Sequence, residues 1–212
     1  MKKKNKKYVN IIAILDRSGS MSSIIDDAIG GFNTFLENQK SIKGLANMSI
    51  MLFDTQFDII TDKLKIQDVL PFTKKTYVPR GGTSLYDAIG KTIDGEIENL
   101  STLPKKERPE KTLCVILTDG EENSSREYHK EKINKMINDM RENFNWEFLF
   151  LAANQDACLT AEGLGISKGN SLDFSATADG VQVAYTSMSN ATTMYRTKSS
   201  KSYDNLFEDS KK

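Results

Sequence analysis

Four near-continuous apolar runs constrain the fold of this chain most: Tyr8 to Leu15, Met48 to Phe53, Leu113 to Leu117 and Trp146 to Ala152. A strand with one wet face alternates apolar and polar residues, whereas runs like these require burial on both faces, as in the central strands of a parallel sheet. Between the runs, apolar residues recur three to four positions apart. The stripes are Ile25, Ala28, Ile29, Phe32, Phe35 and Leu36; Leu85, Ala88, Ile89, Ile93, Ile97 and Leu100; Ile133, Met136, Ile137, Met140 and Phe144; and Val181, Ala184, Tyr185, Met188 and Tyr195. Each predicts a helix with one face on a sheet. The alternation predicts a doubly wound α/β fold, with a mostly parallel sheet and helices on both faces. Phe57 to Thr61 follows Met48 to Phe53 after only Asp54-Thr55-Gln56. That is too soon for a helical crossover, so an antiparallel edge hairpin is expected. Ser171 to Phe174 is the candidate strand for the other edge.

A length of 212 residues fits one domain with a core large enough to need no disulfide. We divide it into a basic leader at 1–7, a domain at 8–197 and a mobile tail at 198–212. Lys2, Lys3, Lys4, Lys6 and Lys7 before an apolar run imitate a signal peptide. The run is broken by Asn10, stops at Asp16 without a small-residue cleavage pattern, and is too short to span a bilayer. The 29 basic and 29 acidic residues cancel, which argues against nucleic acid or an anionic membrane as the main partner. Cys114 lies in an apolar run and reads as a small buried hydrophobe. With Cys158 as the only other cysteine, a reducing, cytoplasmic compartment fits better than a disulfide framework. The single histidine, His129, leaves almost no material for a zinc site or a Ser-His-Asp triad, and reads as a solvated residue.

Ligands of open α/β sheets sit beyond the carboxyl ends of the strands. The first run is followed by Asp16-Arg17-Ser18-Gly19-Ser20-Met21 and the third by Thr118-Asp119-Gly120-Glu121. Arg80-Gly81-Gly82-Thr83-Ser84 precedes the second helical stripe. The three loops are expected to converge, bringing Asp16, Ser18, Ser20, Thr83 and Asp119. Oxygen-only ligation of this kind selects a hard cation, Mg²⁺ with Mn²⁺ as its substitute. Two carboxylates balance a divalent charge, and the hydroxyls are neutral, so the ion would still attract an anionic ligand. Gly81 and Gly82 allow the loop to approach closely, and Ser22 or Ser23 is placed to cap a helix starting near Ile24.

These three segments resemble the loops of the von Willebrand factor A family. Asp16-Arg17-Ser18-Gly19-Ser20 is similar to its D-x-S-x-S signature, Gly82-Thr83-Ser84 to its second loop and Thr118-Asp119-Gly120 to its third. The resemblance covers Tyr8 to Ala152 and implies a complete metal-ion-dependent adhesion site. It also implies a six-stranded sheet with one antiparallel edge strand, direct metal ligation by Ser18, Ser20 and Thr83, and partly water-mediated ligation by Asp16 and Asp119. Phe150-Leu151-Ala152-Ala153-Asn154-Gln155-Asp156 further resembles small bacterial and phage proteins built from this domain alone.

Taken alone, Asp16, Ser18 and Ser20 would also serve as helix caps. Glu121 and Glu122 read as a solvated acidic loop, and Arg17 and Arg80 as local ion pairs or as guides for an acidic partner. The leading functional expectation is a protein-binding module, not an enzyme, whose partner supplies an Asp or Glu to the metal. The protein would be a monomer or weakly self-associating. Leu206, Phe207, Glu208 and Asp209 place acids beside apolar anchors, so a neighbouring molecule's tail is one candidate ligand. The alternatives are a Mg²⁺-dependent phosphohydrolase or phosphotransferase with Asp16 as nucleophile, and a subunit of an ATPase-driven complex. No phosphate clamp, G-x-G-x-x-G or P-loop accompanies the carboxylates.

Overall fold

The computed structural model describes residues 7–153, 156–199 and 202–211. In chain order the strands are β1 (Val9–Asp16), β2 (Ala46–Phe53), β3 (Phe57–Lys65), β4 (Lys111–Thr118), β5 (Trp146–Ala153) and β6 (Ser171–Phe174). The helices are α1 (Ile25–Ser41), α2 (Leu85–Thr102), α3 (Lys130–Phe144), α4 (Ala157–Gly163), α5 (Ala178–Thr197) and the short α6 (Leu206–Asp209).

The sheet order is β3-β2-β1-β4-β5-β6. Every neighbouring pair is parallel except β2–β3. The expected mostly parallel six-stranded sheet with one antiparallel edge strand is therefore the observed one. β1, β4 and β5 are buried at every residue, as continuous apolar runs require. Ile11, Ala13 and Leu15 face α1 and α5, whereas Ile12 and Ile14 face α2, α3 and α4. This alternation of side chains makes two cores, one on each face of the sheet. The strand order reverses between β1 and β4, so the crevice of a doubly wound sheet opens where Asp16 and Thr118 end their strands.

β3 runs four residues beyond the expected Thr61. It is kept in the ladder by a register shift beside Lys63, whose φ is 51° and whose N–H donates to Ser49 Oγ at 2.9 Å. Neither Ser22 nor Ser23 caps α1. A 3-10 turn at Gly19–Ile24 precedes that helix, and the Ser23 hydroxyl donates to the Ser20 carbonyl at 3.2 Å. Ile97 and Phe144, placed in core stripes by spacing, are 40% and 38% exposed. Glu96 takes the inward position beside Ile97, paired with Lys63 at 3.1 Å.

The expectation of a mobile tail does not hold for its described part. Leu206 and Phe207 are buried in the core that contains α5. Asn170 receives the Leu206 N–H at 2.8 Å and donates to the Tyr203 carbonyl at 2.8 Å. Two apolar residues without a helical period around them gave no signal of this docking, and they are not free to anchor on another molecule. The expected basic leader lies outside the described residues except Lys7, which pairs with Glu110 at 3.1 Å. Asn154 and Gln155 lie outside them too. Among the described residues no helix is long and apolar enough to cross a membrane.

Candidate metal centre

The five predicted residues sit on three loops at the crevice. Asp16 ends β1, Ser18 and Ser20 follow it, Thr83 lies two residues before α2, and Asp119 follows β4. Asp16, Ser18, Thr83 and Asp119 are buried, and Ser20 is exposed at the mouth. The hydroxyls of Ser18 and Ser20 are 3.0 Å apart. Ser20 donates to Asp119 Oδ1 at 2.7 Å, and Ser18 Oγ lies 3.5 Å from the same oxygen. A methyl group on Gly120 would stand 3.2 Å from Thr83 Oγ1 and 3.8 Å from Ser20 Oγ, so those two oxygens border the same small space.

Asp16 is held from both sides. Its Oδ1 accepts the Ser18 N–H at 2.6 Å and its Oδ2 accepts the Thr118 hydroxyl at 2.5 Å. The Thr118 oxygen in turn accepts the Gly120 N–H at 3.3 Å, linking the first and third loops. Burial pushes the Asp16 carboxyl up to about 6, against the lowering effect of these bonds, and burial also raises Asp119. Two desolvated carboxyls whose ionised forms are disfavoured, set among hydroxyl oxygens, suit a bound cation better than an empty space. The donors are all hard oxygens, so the residues present fit Mg²⁺ or Mn²⁺.

The loops hold one another by main-chain bonds. Gly19 N–H donates to Gly81 O at 3.0 Å and Arg80 N–H to Arg17 O at 2.9 Å. Gly81 has φ 65°, and a side chain there would also press on Thr55, so the close approach that requires glycine here is to the β2–β3 turn. Asn123 Oδ1 accepts the Thr83 N–H at 2.9 Å, and the Thr83 carbonyl accepts the Asn123 and Ser124 N–H groups at 3.0 and 3.2 Å.

Several supporting residues carried no motif. The Tyr77 hydroxyl, buried, donates to the Asp16 carbonyl. Glu122 is not a solvated acid. Its carboxylate accepts N–H groups of Tyr86, Ser124 and Ser125 at 2.7–2.9 Å and the Ser125 hydroxyl at 2.7 Å, tying the third loop to the start of α2. Asp87 does likewise for Arg126, Glu127 and Tyr128 at 2.9–3.0 Å. The long-range partners, the Tyr86 amide for Glu122 and the Arg126, Glu127 and Tyr128 amides for Asp87, lie 36 to 41 residues away and leave no local signal in the sequence. Arg17 and Arg80 form ion pairs with Asp54 and Asp58. His129 is exposed and Cys114 buried, as expected. Asp156, Cys158 and Asp173 gather their ligand atoms within 4.8 Å, but both carboxylates accept amides of the first turn of α4, which accounts for their positions.

No family model matches the sequence, and no curated protein matches it. Solved structures do match its fold. The von Willebrand factor domain of the type V pilus tip protein Mfa5 from Porphyromonas gingivalis has a TM-score of 0.62 at 10% identity, over 93% of this chain and 99% of that one. Manganese-loaded TRAP protein from Plasmodium vivax has a TM-score of 0.57 at 16% identity, over 84% of this chain and 72% of that one. Proximal thread matrix protein 1 from the mussel byssus, in a form with a zinc-occupied metal-ion-dependent adhesion site, has a TM-score of 0.55 at 13% identity, over 85% of this chain. This chain spans 46% of the mussel protein's length. The fold is thus of the von Willebrand factor A type.

Proposed function

We propose that this chain is a metal-dependent protein-binding module. Asp16, Ser18, Ser20, Thr83 and Asp119 would hold Mg²⁺, with Mn²⁺ as substitute, and a partner protein would supply an Asp or Glu. The observation that carries this reading is the convergence of the Asp119 carboxyl with the Ser18 and Ser20 hydroxyls at 2.7–3.5 Å, with the buried Asp16 carboxyl held beside them by the Ser18 N–H at 2.6 Å, at the mouth of the crevice. A bound divalent cation there would supply positive charge to which an anionic oxygen is drawn. The manganese-loaded TRAP and zinc-occupied thread matrix structures of this fold support a divalent ion, and the pilus tip and thread matrix proteins of this fold support a protein partner.

The chain's own residues do the positioning. Thr118 and the Ser18 amide fix both oxygens of Asp16, Ser20 orients Asp119, and Asn123 fixes the backbone of Thr83. The enzymatic alternative lacks a comparable set. The two arginines nearest the site, Arg17 and Arg80, are engaged by Asp54 and Asp58 rather than presented as a phosphate clamp. A cytoplasmic location is part of the proposal, resting on Cys114 and Cys158 both being free thiols.

Selection from a random peptide display library in Mg²⁺, with elution by EDTA, tests the reading. Enriched peptides are expected to carry an Asp or Glu whose amide replacement abolishes binding. Binding that survives EDTA, or enrichment without an acid, contradicts it. Phosphate monoester hydrolysis that requires metal and vanishes in Asp16→Asn would favour the enzyme.

A further inference from the structure

Asp54 belongs to none of the three loops that bear the predicted ligands, and its side chain is fully buried. It closes the turn between β2 and β3. Its Oδ1 accepts the Gln56 N–H at 2.7 Å, and its own N–H donates to the Gln56 carbonyl at 2.9 Å. That local pattern is a turn and would need no charge. The other oxygen shows a different use. Oδ2 accepts Nε of Arg17 at 2.7 Å and Nε of Arg80 at 2.9 Å. Arg17 stands between Asp16 and Ser18 in the first loop, and Arg80 lies three residues before Thr83 in the second. The Asp54 carbonyl also accepts the N–H of Ser84, the residue after Thr83, at 3.1 Å. The preceding Phe53 carbonyl accepts the Arg17 N–H at 2.8 Å.

One residue on the β2–β3 turn therefore grips the first loop beside two predicted ligands and the second loop on both sides of a third. Asp58 repeats the bridge from the exposed side, contacting Nη2 of both arginines. Hydrogen bonds from Arg80, the Gln56 amide and Arg17 hold the Asp54 carboxyl below its usual range despite burial. Charge-assisted bonds to one oxygen fix both guanidinium groups relative to each other, which neutral bonds do about half as strongly.

We infer that Asp54 is a positioning residue that sets the first and second metal loops in a common register, through Arg17 and Arg80. The inference rests on the metal-binding reading for its affinity readout. The loop coupling itself is independent of any ion.

Two measurements separate the ideas. Mn²⁺ affinity is measured by calorimetry well below the melting range for wild type, Asp54→Asn, Thr83→Ala and the double variant. Asp54→Asn is expected to weaken binding measurably but by less than the roughly 10- to 100-fold that loss of a direct partner of a metal ligand costs, because Asp54 acts through the neighbouring arginines. Thr83→Ala is expected to cost less in the Asp54→Asn background than alone, because its loop is already misplaced. An unchanged affinity with only a lower melting midpoint, or fully independent effects of the two changes, would overturn the inference. Amide hydrogen exchange in EDTA is the second measurement. The Gly19 and Arg80 amides, which bridge the two loops, are expected to exchange faster together in Asp54→Asn while β4 amides do not. If their protection is unaltered, Asp54 does not couple the loops. Arg80→Gln, at an exposed side chain, provides the same two readouts should Asp54→Asn fail to fold. If wild type binds no Mn²⁺, the metal reading falls, and the exchange result still decides the coupling.

Discussion

The Thr118 hydroxyl donates to Asp16 Oδ2 at 2.5 Å, joining the last residue of β4 to the last residue of β1. The two strands run parallel in register from Val9 opposite Lys111 to Leu15 opposite Leu117. The next step of that register brings Thr118 beside Asp16 at the point where the sheet's strand order reverses. The geometry of the site is thus a continuation of sheet pairing, and the threonine is as much part of it as the ligands expected from the loops.

Replacing Thr118 with Val keeps the shape and removes the hydroxyl. The buried Asp16 oxygen then loses its donor, which is expected to cost about 1–3 kcal/mol in the metal-free protein. Urea unfolding in EDTA measures this. Mn²⁺ titration of the same variant should show weaker binding, since Asp16 is held from one side only. Unchanged values in both experiments would remove Thr118 from the site.

Gly120→Ala tests the space between the loops. The added methyl would sit 3.2 Å from Thr83 Oγ1 and 3.8 Å from Ser20 Oγ. Stability in EDTA is expected to fall by no more than about 1–3 kcal/mol, the range for an added methyl in a packed site. Cation affinity is expected to fall markedly, because the methyl stands where the two hydroxyl oxygens meet. Equal cation affinity in both proteins, by calorimetry, would place the ion elsewhere.

The central strands and the meeting of the three loops that bear Asp16, Ser18, Ser20, Thr83 and Asp119 were legible in the sequence because each depends on a local pattern. A strand buried on both faces needs a continuous apolar run, and loops at strand ends declare their chemistry by residue type. Lys63–Glu96 and Leu206–Phe207 were not legible, because burial there is decided by partners far away in the chain. Glu96 is buried next to Ile97 because Lys63 neutralises it from β3, which no helical period encodes. Asp54 and Asp87 were given no role, and Glu122 was read as solvated, for a similar reason. An acid that serves distant amides or arginines looks like any surface acid in sequence.

The docked tail yields a test of its own. Leu206 is 1% exposed and packs into the core containing α5. Leu206→Ala is expected to lower stability by about 2–5 kcal/mol, the range for truncating a buried leucine. Chemical denaturation checks it, and a change within error would restore the mobile tail.

Asp87 predicts an acid limb in the stability curve. Burial alone would raise its carboxyl, but N–H bonds from Arg126, Glu127 and Tyr128 bring it below the usual value. The folded form therefore releases the proton more readily than the unfolded one. Its stabilisation is full above the unfolded value near about 4 and is lost as pH falls through the lower folded value. Asp87→Asn is expected to be less stable than wild type at pH 7, with the gap closing below about pH 4. A gap that stays constant with pH would show that the charge is irrelevant.

The central claim is that Asp16, Ser18, Ser20, Thr83 and Asp119 form one cation site. Thermal unfolding of wild type and Asp119→Ala in EDTA, Mg²⁺ and Mn²⁺ tests it most directly. Binding to the native state alone stabilises by about 2.7 kcal/mol at a hundredfold excess over the dissociation constant. Wild type is expected to gain several degrees with either metal, and Asp119→Ala to gain little. Equal midpoints for wild type with and without metal, or the same gain in Asp119→Ala, would contradict the account.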